Sequence, residues 1–179
     1  MDGDILAKSN PRQTLTEHVS CLLNVGISIK GRIGEDILSV VPDSYKNSFF
    51  DLLDICALFH DIGKGNIKFQ NRIESNNKRK LEGEIDHNLL SPSFLKSFFE
   101  LKPCSDNIRH ILYKAIAYHH NSYSHYLLNG NSFMYIQKAI INDLSPNISR
   151  LQNYLEFIDS KFSIPYSNNF DLDLDYEKE

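Results

Sequence analysis

The stretch FFDLLDICALFHDIGKGN, residues 49–66, joins a long apolar helical pattern to an abrupt polar end. Its first eleven residues predict a helix that packs into a core, because apolar side chains recur at helical spacing. A helix of this kind normally ends in solvent with a cap, but this one ends in His60 and Asp61 and is then broken by glycines. His60 falls on the line of Leu53 and Ala57, so the pattern directs its imidazole towards the core.

Composition predicts one soluble globular domain spanning residues 1–179. Hydrophobic residues make up 41% of the chain, enough for a single core, with about residues 12–162 folded and 163–179 as an irregular tail. A net charge of −4 argues against a global nucleic-acid-binding field, although a local basic patch is compatible with it. The absence of a CxxC pair, of a signal-like N-terminus and of a long apolar run predicts a cytoplasmic protein without membrane contact.

Proline, glycine and capping residues divide the chain into helical segments, and strand-like alternation is scarce, so we predict an all-α fold. The capping-box spacing of Thr14 and Glu17 starts a first helix over about residues 15–28, and a second helix over about 34–41 stops at Pro42. The remaining predicted helices are one that contains FFDLLDICALF and is capped by Asp43 or Ser44, one starting at Ser91 and Pro92, one capped by Ser105, one over about 133–144, and one carrying Ile148, Leu151, Leu155 and Ile158.

Histidines are concentrated at or beside the core-facing positions of these helices. They are His18, His60, His87, His119 and His120. One such histidine is usually a hydrogen-bonded core residue, but five together need more polar partners than an apolar core supplies. Imidazole nitrogen and carboxylate oxygen are ligands of Mn, Fe, Co, Ni and Zn ions, and Asp61 could bridge two such ions that activate water against a phosphate. His110, off the apolar stripe of its helix, and His125, in a polar loop, are predicted to be surface residues.

In their order along the chain, these residues resemble the signature of the HD superfamily of metal-dependent phosphohydrolases, which implies a helical bundle with a metal site in its core. HDIGKGNIKFQ, HNLLS and AYHHN are similar in particular to the HD nuclease domain of the CRISPR-associated helicase-nuclease of type I interference. The resemblance covers about residues 12–125. It implies two divalent ions, transition metals or Mg, held by the following residues: His18, His60 and Asp61 for one ion, Asp61 as the bridge, and His87, His119 and His120 for the other.

The resemblance also implies that Lys64 places its ammonium near the scissile phosphate or the charge that develops there. A solvent-facing lysine in a glycine turn is the alternative. Phe69 and Gln70 are expected to pack and to stabilise the turn rather than to take part in chemistry. Basic residues beside the centre either follow a nucleic-acid backbone or form a solvated charged loop; they are Lys64, Lys68, Arg72, Lys78, Arg79 and Lys80.

The family signature ends with an aspartate in a late helix, which completes the shell of the first ion and has two candidates here. Asp159 follows an apolar run and precedes a small residue, whereas Asp143 lies on the stripe of Ile136 and Ile140. A third alternative is that this ligand lies past Glu179, in which case the chain is an N-terminal piece of a longer protein.

The resemblance therefore implies a metal-dependent nuclease that hydrolyses phosphodiester bonds of single-stranded DNA in CRISPR antiviral defence, with Asp61 and Lys64 as catalytic residues. Expected partners are single-stranded DNA, a separate or fused helicase subunit, since no GxxxxGK[ST] loop occurs in the chain, and the CRISPR RNA-guided surveillance complex. Two alternatives stay open: an HD phosphohydrolase of nucleotides or cyclic nucleotides, and an inactive metal-binding HD module that serves as an interaction domain.

Overall fold

The computed structural model describes residues 4–120 and 132–174 of the chain. Its strands are β1 (Leu6–Ser9) and β2 (Arg12–Thr14). Its α-helices are α1 (Leu15–Val40), α2 (Asp43–Lys46), α3 (Phe49–Phe59), α4 (Ile67–Glu74), α5 (His87–Leu90), α6 (Leu95–Leu101), α7 (Asp106–Ala117), α8 (Ser132–Ala139), α9 (Gln152–Phe162) and α10 (Tyr166–Asn169). Turns of 3-10 helix cover Ile62–Gly65, Ser91–Phe94 and Ser145–Leu151, and a π-helical turn covers Ile140–Leu144. The predicted helical bundle is confirmed, and no helix in the two described ranges has the length and hydropathy to cross a bilayer.

A small antiparallel hairpin, β1 and β2, precedes the first helix and is not predicted from the sequence. Leu6 is buried and packs with Phe69 and Ile73 of α4. The Gln70 side chain pairs with the backbone of Leu6 as a neighbouring strand would: its Oε1 accepts the Leu6 N–H at 2.9 Å and its Nε2 donates to the Leu6 carbonyl at 2.9 Å. The hairpin is therefore fixed to α4 by one buried amide side chain.

Helix α1 begins as predicted and continues further than predicted. Thr14 Oγ1 accepts the N–H of Glu17 at 3.2 Å, and Glu17 Oε2 accepts the N–H of Thr14 at 2.8 Å, which confirms the capping box. The sequence predicts two helices over this stretch, and α1 consists of two helical parts that meet at a kink at Ile33, where φ is −135° and ψ is 20°, directly before the predicted start of the second helix at Gly34. Because no proline lies between Leu15 and Val40, one residue absorbs the break and the helix resumes.

The helix that leads into His60 and Asp61 is shorter and less buried than its apolar sequence predicts. Neither Asp43 nor Ser44 caps it, because both lie in α2 and α3 follows as a separate helix. Its fully buried residues are at its end, Leu58 and Phe59, whereas Leu53 is 45% exposed. The predicted line through Leu53 is therefore not the buried face, and the last turn anchors the polar end of the helix in the core.

An aromatic cluster joins the last turn of α3 to the C-terminal segment. The Phe59 ring meets Phe98 and Tyr166 edge-on, with centroid separations of 5.0 and 5.7 Å. Tyr166, in α10, is fully buried and donates its hydroxyl to the Phe94 carbonyl at 2.6 Å. Where the sequence predicts an irregular tail over 163–179, the described part up to residue 174 forms one helical turn and packs on the core.

Candidate metal centre

Five histidines from four segments surround one carboxylate. His18 lies in the first two turns of α1, His60 and Asp61 directly follow α3, and His87 is the first residue of α5. The two remaining histidines, His119 and His120, follow the end of α7 at Ala117. Each candidate ligand thus lies at or near a helix end, where the bundle brings the four segments together.

The Asp61 carboxylate is 3% exposed and lies among imidazole Nε2 atoms. Its Oδ2 is 3.2 Å from Nε2 of both His18 and His60, and its Oδ1 is 2.9 Å from Nε2 of His87 and 3.6 Å from that of His119. Candidate ligand atoms in the described residues form two groups that share Asp61: His18, His60 and Asp61 in one, and Asp61, His87, His119 and His120 in the other. This division matches the two predicted ligand sets residue for residue.

Hydrogen bonds fix the orientation of two of these rings in the way a metal requires. His60 Nδ1 lies 2.9 Å from the Ala57 carbonyl, and His119 Nδ1 lies 2.7 Å from the Ile116 carbonyl. Because a carbonyl only accepts, Nδ1 carries the proton in each neutral ring, and Nε2 turns a lone pair towards Asp61.

Lone pairs that face a carboxylate at these distances repel it unless a cation or proton lies between them. His119 Nε2 is buried and has no hydrogen-bond partner among the described residues. Two ligand atoms that each lie about 2.0–2.2 Å from one ion are roughly 3.0–3.5 Å apart. The distances from Asp61 Oδ2 to Nε2 of His18 and of His60, both 3.2 Å, fall within this range. The residues present therefore fit divalent metal ions.

Burial and charge shift the pKa values of four of these side chains. Burial alone would raise the pKa of Asp61, but wherever the neighbouring rings of His119, His60 and His87 carry a proton towards it, their hydrogen bonds outweigh burial and hold that pKa below the usual carboxyl range. Burial lowers the pKa of His87 to about 4, although Asp61 acts in the opposite direction. Burial also lowers the pKa values of His18 and His120. The neutral imidazoles and the ionised carboxylate are the forms that coordinate a divalent ion.

Lys64 is buried beside this carboxylate, which rules out the solvent-facing alternative. Its Nζ donates to Asp61 Oδ2 at 2.6 Å, lies 5.8 Å from the centre of the Phe69 ring, and is carried on the 3-10 turn that follows Asp61. Gln70 Nε2 donates to the Lys64 carbonyl at 2.7 Å and so ties the same turn to the N-terminal hairpin. Phe69 and Gln70 therefore pack and stabilise the turn, as predicted.

The backbone around the centre is packed more closely than the sequence indicates. A Cβ added to Gly63 would lie 2.0 Å from the His87 carbonyl oxygen, so a side chain has no space there. Ser91 Oγ accepts the N–H of Gly63 at 3.0 Å, and Asn88 donates to the Ala117 carbonyl at 2.5 Å, beside the end of α7. Ser91 and Asn88 belong to the HNLLS segment, but no helical period or capping rule gives them these partners.

Neither candidate for the final aspartate joins the two groups of ligand atoms in the described residues. Asp143 Oδ2 lies 3.1 Å from Lys68 Nζ. Asp159 accepts the N–H of Ser167 at 2.9 Å and its hydroxyl at 2.5 Å, and so holds the start of α10. A ligand past Glu179 stays a prediction.

Most of the predicted basic patch is paired with carboxylates. Arg72 Nε lies 2.9 Å from both oxygens of the buried Glu84, Lys80 pairs with Asp86 at 2.5 Å, and Lys68 pairs with Asp143. This arrangement favours the charged-loop alternative over a continuous track for nucleic acid. Of the histidines predicted to lie on the surface, His110 is exposed on α7 and His125 lies outside the described residues.

Comparison with protein families gives a match to the HD domain over residues 28–156, more than half of the chain. The match contains the segments that carry His60, Asp61, His87, His119 and His120. Comparison with curated proteins and with solved structures gives no match. The domain matched and the cluster of histidines around one aspartate both support a metal-dependent phosphohydrolase. The chain belongs to the HD-domain family.

Proposed function

We propose that this protein is a two-metal nuclease that hydrolyses phosphodiester bonds in single-stranded DNA as part of CRISPR defence. The observation that carries the proposal is the single buried carboxylate of Asp61 shared by two groups of histidine nitrogens. A pair of ions bridged by one carboxylate suits an in-line displacement at a phosphorus atom. The assignment as a nuclease, and not only as a phosphohydrolase, rests on the residues of the segments HDIGKGNIKFQ, HNLLS and AYHHN and on their order along the chain.

In this function His18, His60 and Asp61 would hold one ion, and His87, His119 and His120 the other, with Asp61 shared. Bound metal would supply an activated water and Lewis acidity at the phosphoryl oxygens. The protein contributes orientation: carbonyl groups of α3 and α7 fix the rings of His60 and His119 before substrate arrives.

Lys64 contributes charge. Its ammonium lies 2.6 Å from Asp61 Oδ2, at the edge of the centre, and so is placed to donate to a phosphate oxygen that approaches the same position. The single strand would be delivered by a helicase subunit recruited to an RNA-guided surveillance complex.

The test is a nuclease assay on purified protein, stripped with EDTA and reloaded with Mn, Ni, Co, Zn or Mg, together with elemental analysis. We expect cleavage of labelled single-stranded DNA that EDTA abolishes. His120→Ala should lose this activity, whereas His110→Ala, an exposed histidine of α7 outside the cluster, should retain it.

Other outcomes would identify the alternatives. Turnover of deoxynucleoside triphosphates or cyclic nucleotides without DNA cleavage would contradict the nuclease proposal in favour of a nucleotide phosphohydrolase. Stoichiometric metal without turnover of any of these substrates would indicate an inactive HD module.

A further inference from the structure

Ser91 lies at the junction of the two segments that supply opposite sides of the metal centre. It is fully buried and begins the 3-10 turn directly after α5. Its Oγ lies 2.7 Å from the His60 carbonyl and 2.9 Å from the His87 carbonyl, and it accepts the N–H of Gly63 at 3.0 Å. One hydroxyl therefore contacts the backbone of a ligand from each group.

The chemistry of a hydroxyl decides which of these contacts joins the segments. Ser91 has one hydroxyl proton and donates to one carbonyl at a time. The bond to His87 is local, since the two residues are four positions apart in one helical stretch. The bonds to His60 and Gly63 cross to the other segment, and the Gly63 contact persists in either donor state because Ser91 accepts in it.

No side chain separates the two segments at this point. The backbone of Gly63 lies against the His87 carbonyl so closely that a Cβ would be 2.0 Å from its oxygen. A change at Ser91 therefore acts directly on the backbone that carries the side chains of His87 and Asp61, whose Nε2 and Oδ1 lie 2.9 Å apart.

We propose that Ser91 is a positioning residue that sets the spacing between the two ligand groups, and thereby the binding of the ion on the His87 side. This inference rests on the proposed two-metal function. Ser91 does not touch the ligand nitrogens of the centre; it acts on His87 and on the segment of His60 and Asp61 through their backbone.

The experiment compares Ser91→Ala with Ser93→Ala. Ser93 is a matched control because it is fully buried in the same 3-10 turn, but its hydroxyl donates at 2.6 Å to Leu90, three residues earlier. Circular dichroism establishes folding of each variant. If Ser91→Ala does not fold, Ser91→Cys, which keeps a weaker donor of similar size, replaces it with a smaller expected effect.

The first measurement uses the metal-free protein. In NMR spectra we expect the Gly63 amide to shift and to exchange faster with solvent in Ser91→Ala, and the His87 ring signals to move, while both stay as in the parent in Ser93→Ala. Unchanged Gly63 and His87 signals in Ser91→Ala would overturn the proposal whether or not metal binds.

The second measurement titrates Mn by calorimetry and by electron paramagnetic resonance. Loss of a partner that orients a ligand typically weakens metal binding about 10–100-fold, so Ser91→Ala should bind the second Mn at least about tenfold more weakly and lose the spectrum of a coupled pair. Equal binding of both ions in Ser91→Ala and Ser93→Ala would refute the proposal. Failure of the parent protein to bind two Mn ions would instead refute the two-metal function, and is seen before any variant is compared.

Discussion

Gly63→Ala tests whether the close backbone contact at the metal centre is a requirement of the fold. The new Cβ would lie 2.0 Å from the His87 carbonyl oxygen, 2.9 Å from the His87 carbonyl carbon and 2.9 Å from the Ser91 nitrogen. All three are backbone atoms, so no rotamer change relieves the overlap. An unstrained carbon to oxygen contact is about 3.3 Å or more, and the start of α5 must therefore retreat by more than about 1 Å.

The cost follows from two contributions. Overpacking a rigid core costs about 1–3 kcal/mol, and loss of the buried bond from Gly63 to Ser91 adds about 1–3 kcal/mol. A total of about 2–6 kcal/mol is a large part of the roughly 5–15 kcal/mol that stabilises an ordinary domain. For a chain of this length it corresponds to a fall in Tm of about 4–24 °C.

Urea denaturation followed by circular dichroism in EDTA measures this loss without a metal contribution. Gly31→Ala is the control, because Gly31 lies inside α1 and a Cβ there meets no atom of the described residues within 4 Å. It should stabilise the protein by about 0.5–1 kcal/mol through helix propensity. The change in the free energy of unfolding for Gly65→Ala should lie between those for Gly63→Ala and Gly31→Ala. The atom nearest to the added Cβ, at 2.6 Å, belongs to the side chain of Leu151, which can move. A loss of under about 1 kcal/mol in Gly63→Ala would refute the reasoning, since ordinary surface substitutions approach that value.

Three further predictions concern the ligands. Asp61→Asn should keep the helical fold but lower the rate of hydrolysis by several powers of ten, as loss of an essential catalytic group does, because it removes the charge shared by both ligand groups. A variant that keeps a tenth of the parent rate would contradict that shared role. In EDTA, His119→Leu should have the Tm of the parent, but its Tm should rise less than that of the parent when Mn is added. An ion that binds only the native state stabilises it by RT ln(1 + [L]/Kd), so a variant with a weakened site gains less. An equal rise in Tm would show that His119 is not a ligand. Burial lowers the pKa of His87 from 6.5 to about 4, so its contribution to metal-free stability is present above pH 6.5 and is lost as the pH falls towards 4. The urea midpoint of the metal-free protein, measured at a series of pH values across this range, checks the sign of the effect. The midpoint should depend less on pH in His87→Gln. A midpoint of the parent protein that rises on acidification would contradict the prediction.

Local signals in the sequence predict helix starts and the inward direction of the candidate ligands. The Thr14 capping box forms as its spacing predicts, because both of its hydrogen bonds lie within four residues. The apolar period likewise directs His18 and His119 inward, and both side chains are largely buried at the centre. These features depend on residues close together in the chain.

Features that depend on distant residues are not predicted. The hairpin is held by Gln70, 64 residues from Leu6, and its two short strands have no clear alternation. Leu53 belongs to an apolar run but is exposed, because burial depends on which neighbours cover a helix and not on the run itself. Asp143 has the right period for a ligand, yet Lys68 from another helix pairs with it. Sequence period specifies a face of a helix and not the partner that meets it.

The carbonyl contacts that orient His60 and His119 have a consequence for how chain length can vary. A carbonyl three residues earlier in the same helical segment orients each ring. The direction in which the ring points therefore depends on its rotational position around the axis of that helix, and not on the length of chain between it and the other candidate ligands. One residue inserted into α3 or α7 would rotate the following imidazole by about 100° around the helix axis. Residues inserted into the loop over 75–86, which lies between ligand segments, would leave both phases intact. The number of residues between the ligand segments can therefore differ among related proteins. Insertions within the last helical turns before these two histidines should not occur in relatives that keep the site.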